Sequence, residues 1–424
     1  MYKAPRGTVD ILPAEQRRFR YVEGTAASLC QLYGYERIDT PVFEDAGLFV
    51  RTIGSGTDIV EKETYTFEDR SGQAMTLRPE GTAPICRAYI EHGMHNLPQP
   101  VRLYYIASIF RYERPQRGRY RQHQQFGAEA IGDGDPALDA EVIDLAWRLF
   151  DSLGMRNLSL FLNSIGCRAC RPAYLEELKR HYSAYREQLC ADCRARLVKN
   201  PLRLLDCKKP SCQSVAQSAP HSTDYLCSEC AAHFGGVTTY LSLLGIPFQT
   251  NHRLVRGLDY YTKTVFEVQP EGEQGAQSAL GGGGRYDGLI EELGGRPTPA
   301  VGFAVGIERV VLNMKQLGVD PQAASGCRVF VAYLGDEAKA EAMRLAAELR
   351  QGGIAVVSSF GDRSLKAQLR QANAVGAAHA AILGEDEVRT GIVMLRDMAK
   401  GRQEPVPSGD LVRVLAATLG GFKA

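Results

Sequence analysis

In the loop RYERPQRGRYR, residues 111–121 of FRYERPQRGRYRQHQQFGAEAIG, Arg111, Arg114, Arg117, Arg119 and Arg121 stand against a single acid, Glu113. A planar guanidinium grips two phosphate oxygens at once, so this composition suits a polyphosphate ligand, as it also suits a solvated basic loop. Glu80 and Thr82, in RPEGT, offer a carboxylate and a hydroxyl suited to an ammonium group or to local helix capping. Arg256 precedes Gly257, with Asp259, Tyr260 and Tyr261 close behind. LGGGGRYDGL, residues 280–289, lacks the Gly-Lys-Ser/Thr of a P-loop and is no dinucleotide fingerprint. Its glycines admit a ligand against bare backbone or make a flexible turn, with Arg285, Tyr286 and Asp287 arguing for an ordered wall. Glu308 and Arg309 open a further helical stretch, where they suit surface ion pairs or, for the arginine, a nucleotide.

A second chemistry is suggested by sulfur. Cys167/Cys170, Cys190/Cys193 and Cys227/Cys230 each have CxxC spacing, and Cys207 and Cys212 lie five apart. In a reducing compartment such pairs suit zinc, and equally suit small buried helix residues. Cys30, Cys86 and Cys327 are isolated and read as packed residues.

The elements that must position these groups follow from period and punctuation. Apolar Phe19, Val22, Ala26, Leu29 and Leu32 predict a helix over 13–33, ending at Gly34. YERIDTPVFED follows as a strand interrupted by Pro41, hence an edge or a break. Two short strands with a turn at Ser71-Gly72 lead to RPEGT and a helix. Residues 101–132 read as two antiparallel strands around the arginine-rich loop. A helix over 135–153 precedes the cysteine-rich block, which reads as a helical insertion between two pieces of sheet. RLVRGLDYYTKTVFEV returns to strand, and AVGFAVGIERVV is a buried strand entering a helix. After a linker at 318–327, strands alternate with helices, giving a small flanked sheet that carries Lys366, Arg370, Arg389, Arg396, Lys400 and Arg402 for phosphate contacts or solvation.

At 424 residues the chain predicts two to three domains, and a net charge of +1 excludes a generally basic nucleic-acid binder. No apolar run reaches the roughly 18 residues of a membrane span, and MYKAPRGTVD has no apolar signal core, so a cytosolic protein with no membrane contact is expected.

Taken together, these segments resemble the histidyl-tRNA synthetases of class II over essentially the whole chain. GYERIDTPVFED is similar to motif 1, FRYERPQRGRYRQHQQFGAEAIG to motif 2 and VGFAVGIERV to motif 3, while RGLDYYT and GGRYDG are distinctive of the histidine enzymes. The resemblance implies an α+β fold: a class II antiparallel catalytic sheet flanked by helices over 1–325, a helical cysteine-rich insertion over 166–247 and a C-terminal α/β anticodon-binding domain over 326–424. It implies a homodimer formed through motif 1, with L-histidine, ATP, Mg²⁺ and tRNA(His) as partners. Histidine and ATP give histidyl-adenylate and pyrophosphate; the histidyl group then passes to the tRNA 3′ end.

By the same resemblance Arg111 and Arg256 are catalytic, meeting charge at the α-phosphate. Arg119, His123 and Arg309 bind ATP, and Glu80, Thr82, Gln125, Glu129, Arg256, Tyr260, Tyr261 and Tyr286 bind histidine. Within that set Glu129 and Tyr261 read the two imidazole nitrogens, and Glu80, Thr82 and Gln125 hold the α-amino group. Gln116 serves the tRNA acceptor end with its extra 5′ guanosine. At His123 the family often has phenylalanine against adenine. The cysteine pairs occur in some members without a metal requirement, so no metal site and substoichiometric zinc are expected. The alternative is a silent paralogue regulating ATP phosphoribosyltransferase, which generally lacks the anticodon-binding domain and the intact histidine motifs. Synthetases for threonine, proline or glycine fit poorly, since Glu129 and Tyr261 suit an imidazole.

Overall fold

Residues 2–53, 62–272, 279–321 and 328–419 are described by the computed structural model. The chain divides into two compact units, Met1–Pro321 and Gln322–Ala424. The expected boundary after residue 325, and Cys327 with it, lie outside the described residues.

In the first unit, α1 (Pro13–Leu32) leads to β1 (Glu36–Arg37), β2 (Phe43–Asp45), α2 (Ala46–Ile53), β3 (Tyr65–Glu68), β4 (Ala74–Leu77) and α3 (Thr82–Glu91). Two ten-residue strands follow, β5 (Val101–Phe110) and β6 (Gln122–Ile131), then α4 (Pro136–Ser152) and β7 (Leu158–Ser164). The insertion contributes α5 (Arg171–Ala184), α6 (Ala191–Lys199), α7 (Pro210–Gln217) and α8 (Ser228–Leu243). The chain then returns through β8 (Gln249–Thr250), β9 (Thr262–Pro270), β10 (Gly281–Arg285), α9 (Leu289–Glu292), β11 (Ala300–Gly306) and α10 (Ile307–Gln316).

Eight strands form one sheet in the order β1-β5-β6-β11-β10-β9-β7-β8. Its six inner strands are antiparallel, and β1 and β8 join the two edges in parallel. Side chains alternate across a strand, so each strand serves two environments. Phe126, Ala128, Phe303, Val305, Phe266 and Val268 point to one face, where they pack with α1, α4, α8 and α10. The opposite face carries the polar residues of the cavity described below, partly covered by α3 and by the tyrosines of the 260–286 region. β2, β4 and β3 make a separate antiparallel sheet whose turn is closed by Asp69 accepting from the backbone N–H groups of Ser71 and Gln73.

Several expectations need correction. Leu32 is 81 % exposed, and Cys30 rather than Leu32 completes the buried stripe of α1. Pro41, which has no N–H to donate, leaves only two short strands in the 35–45 segment. RGLDYY is loop rather than strand: the Asn163 side-chain amide donates to the carbonyls of His252 and Leu254, holding the chain off the ladder until Thr262. Of the two readings of the four glycines, the ordered one holds: they form a strand, β10.

In the second unit β12 (Val329–Tyr333), β13 (Val356–Ser358) and β14 (His379–Leu383) are parallel, with α11 (Asp336–Gln351) and α12 (Leu365–Ala374) as crossovers. An antiparallel extension of β15 (Ile392–Asp397) and β16 (Gln403–Pro407) follows α13 (Glu385–Thr390), and α14 (Leu411–Leu419) ends the described chain. Arg389 and Lys400 pair locally with Asp386 and Asp397.

Candidate active site

β6 is the axis of the site. His123, Gln125, Gly127 and Glu129 recur every second residue, which places all four on the sheet's open face. His123, Gln125 and Glu129 line a cavity of about 610 Å³. Every residue named above for histidine or ATP lines it as well, from β5–β6, the start of α3, the 251–261 loop, Tyr286 and the start of α10. Only Gln116 stands apart, exposed at the hairpin tip, where its backbone exchanges hydrogen bonds with Arg119.

Glu129 sits at the dry end, 1 % exposed. Its Oε1 accepts from the Thr82 hydroxyl at 2.7 Å and its Oε2 from the Tyr286 hydroxyl at 2.5 Å. Burial pushes its carboxyl up to about 8, against the opposing pull of those two hydroxyls. Tyr260 packs on Tyr261 at 4.8 Å and edge-on to Tyr286 at 5.7 Å between ring centroids, making an aromatic wall. The floor is glycine. Gly302, opposite Glu129 on β11, would place a Cβ 1.7 Å from Glu129 Oε2, and Gly283 would place one 2.0 Å from the Gly302 carbonyl oxygen.

Glu80 caps α3, its two oxygens accepting from the N–H groups of Thr82 (2.6 Å) and Ala83 (2.8 Å). Capping and ligand binding are compatible here, because each carboxylate oxygen keeps a further lone pair. The Gln125 carbonyl accepts from the Tyr105 hydroxyl at 2.9 Å. Tyr105 itself lies between Gly81 and Gly127, where a Cβ would approach its ring to 2.3 and 2.4 Å respectively.

The other end is cationic. Arg111 donates through Nε to the Pro79 carbonyl at 2.7 Å, and no carboxylate of the described residues lies within ion-pair distance of it. Arg256 pairs with Glu267 at 2.9 Å and rests on Gly282, where a Cβ would come within 2.7 Å of its Nη1. Arg119 pairs with Glu113 at 3.3 Å. Arg309 donates to the carbonyls of Gly118 (3.1 Å) and Ala279 (2.9 Å), joining α10 to the hairpin loop. Burial, reinforced by Arg111 and Arg309, holds the His123 imidazole down to about 3, so it is a neutral aromatic surface. Glu308 is buried and accepts twice from the Gln124 N–H, at 2.8 and 3.0 Å; burial raises its carboxyl to about 7.

Other members of the arginine run do different work. Arg121 lies 3.7 Å over the Tyr112 ring and donates to the Arg6 carbonyl, while Arg114 and Arg117 are exposed. Arg285, fully buried, turns to the helical face and pairs with Asp139. Tyr105, Glu267 and Glu308 were not singled out as site residues from sequence. Glu267 carried a signal, an acid among the apolar residues of TVFEV, whereas Tyr105 becomes distinctive only once two glycines are seen to face it.

The family model described as histidyl-tRNA synthetase matches residues 7–310, and the one described as anticodon binding domain matches 328–418. A curated histidine–tRNA ligase of Dehalococcoides mccartyi strain 195 is 58 % identical over 97 % of this chain and 98 % of its own length. That of Pelotomaculum thermopropionicum is 48 % identical over 99 % and 98 %. Among solved structures, apo histidyl-tRNA synthetase of Staphylococcus aureus superposes with a TM-score of 0.83 at 37 % identity, covering 98 % of this chain and all of that one.

Proposed function

The chain belongs to the histidyl-tRNA synthetase family, and from that premise we propose how its cavity divides the work. The activity is ligation of L-histidine to tRNA(His), driven by ATP; the regulatory alternative is not favoured, since the full-length relatives are ligases.

The imidazole enters the dry end. The Glu129 carboxylate accepts one ring N–H, the Tyr261 hydroxyl meets the other nitrogen, and Tyr260 and Tyr286 enclose the ring. A buried acceptor left unpaired by the wrong side chain is strongly unfavourable, which is the basis of selection. Glu80, Thr82 and Gln125 receive the α-ammonium. ATP lies along the cationic end, its adenine against His123 and its γ-phosphate side toward Arg309, with Arg119 on the phosphates.

The histidine carboxylate oxygen then attacks the α-phosphorus as the bond to pyrophosphate breaks. Arg111 and Arg256 supply fixed positive charge to the phosphorane oxygens, and positioning does the rest, with no protein nucleophile. Glu267 and Glu308 offer the hard oxygen donors suited to Mg²⁺, which when bound neutralises charge on the departing pyrophosphate. In the second step a hydroxyl of the terminal adenosine attacks the acyl carbon, AMP leaves, and the hydroxyl proton departs with it. Gln116, at the exposed hairpin tip, faces the acceptor end of the tRNA. The working form is a cytoplasmic homodimer.

The single observation behind this reading is that a buried carboxylate and the Arg111 guanidinium, which has no carboxylate partner among the described residues, share one cavity. Arg256→Ala should lower single-turnover adenylate formation at least about a hundredfold, the order expected when one charge-stabilising group is lost. Glu267, left behind, can take up a proton, since burial already raises its carboxyl. Undiminished histidyl-adenylate formation in that variant would refute the role.

A further inference from the structure

Eight cysteines of the insertion have no role in the adenylation chemistry above, although Cys207 borders the cavity, and the fold gathers them into two sets of four. One set joins Cys167 and Cys170, at the turn from β7 into α5, to Cys227 and Cys230, at the start of α8. The other joins Cys190 and Cys193, at the start of α6, to Cys207 and Cys212, before and within α7. In each set the four Sγ atoms all lie within 4.8 Å of one another.

The separations decide what such a set can be. Cys167 Sγ is 3.7 Å from that of Cys170 and 3.9 Å from that of Cys227; Cys170 and Cys230 are 3.8 Å apart, and Cys190 and Cys207 3.9 Å. A disulfide requires about 2.05 Å. Four thiolates held tetrahedrally at about 2.3 Å from one ion stand about 3.8 Å from each other. Backbone amides are aimed at the sulfurs: the Cys167 N–H donates to Cys170 Sγ at 3.3 Å and the Cys190 N–H to Cys212 Sγ at 3.2 Å, the kind of outer contact that supports a thiolate ligand. Cys170, Cys190 and Cys227 each occupy a helix N-cap, where the peptide dipoles favour negative charge.

We propose that each quartet binds one Zn²⁺, two per chain, in closed tetrathiolate sites. This replaces the expectation of thiols without metal. An all-sulfur tetrahedron selects a borderline-soft ion, and with four protein ligands no position remains for water, so the ions are structural. Their place in the fold gives them a purpose. The first ties the point where the insertion leaves the catalytic sheet to the point where it returns, beside Arg171, whose guanidinium donates to the Tyr261 carbonyl at 2.5 Å. The second anchors the segment whose Arg203, Asp206 and Lys208 line the cavity.

Elemental analysis of the full chain, purified without chelator from zinc-supplemented culture, tests this independently of the assigned substrate roles. Two equivalents of zinc per chain are expected, falling to one in Cys227→Ser/Cys230→Ser and to one in Cys207→Ser/Cys212→Ser. Titration of the native chain with an organomercurial, which needs no variant to fold, should release both ions to a zinc indicator as eight thiols are lost. One equivalent or fewer, iron in place of zinc, or eight thiols that react without zinc release would overturn the assignment.

Discussion

The physical quality of Glu129 depends on its burial rather than on its acidity. Its value near 8 in the folded chain stands above the ordinary carboxyl value of 4.5, so the bound proton stabilises the unliganded fold. That contribution is complete below about 4.5 and is lost as pH rises through about 8. Glu129→Gln, neutral throughout, should therefore melt progressively higher than the parent chain between pH 5.5 and 8.5 in the absence of ligands. A melting difference that stays constant across that range would show that Glu129 does not hold its proton. His123 behaves oppositely. Uncharged above about 3, it offers adenine a ring and no charge, so His123→Phe should shift the KM for ATP by no more than about fivefold, the scale of one aromatic contact, and leave its pH dependence unchanged from pH 6 to 8. Glu129, Arg111 and Arg256 stand out in the sequence through motifs that resemble those of the family, and the fold brings all three to one cavity. Tyr105 carries no such mark, since what distinguishes it is Gly127 across the ladder, while Glu267 shows as an acid in an apolar stretch whose partner, Arg256, only the fold supplies.

Elements carry these groups by period. The hairpin predicted by apolar stretches around a polar, arginine-rich loop is present with full register from Val101–Ile131 to Phe110–Gln122, and it sets His123, Gln125, Gly127 and Glu129 on one face. The loop at 251–261 has residue types that suit a ladder, yet the Asn163 side chain that diverts it comes from β7, remote in sequence. The glycines of β10 were read as a place for ligand, and their more immediate duty is steric: strands β9, β10 and β11 approach so closely that a Cβ at Gly283 would strike backbone. Gly302 differs, because its nearest obstacle is a side chain, Glu129. Gly302→Ala should raise the KM for histidine at least about tenfold by displacing that carboxylate, with the KM for ATP changed by less than about threefold, since the loss of one buried hydrogen bond is on that scale. Equal effects on both constants would mean the whole sheet had shifted. At the start of α3, Glu80→Ala should cost about 1–2 kcal/mol in chemical denaturation through the lost cap, in addition to weakening histidine binding.

At the scale of the molecule, the second unit has its own two-sided core around β12, with Val329, Val331 and Leu345 on one side and Phe330, Ala332 and Ala372 on the other. A chain ending at residue 321 should thus keep histidine-dependent adenylation and lose most tRNA charging; loss of both together would mean that the units are not separable. The parallel half of this unit was apparent from alternating strands and helices, whereas β15 and β16 went unread, since Gly, Pro and charge dilute their apolar pattern. The first unit presents exposed Leu32, Val42 and Phe43 near its β1 edge, apolar surface that a second copy would cover, and light scattering should return twice the chain mass. What the cavity accepts is the central claim about this molecule. ATP–pyrophosphate exchange measured with each of the twenty amino acids should respond to histidine alone in the parent chain and fall at least about a hundredfold in Glu129→Gln; exchange supported by another amino acid, or undiminished in that variant, would contradict it.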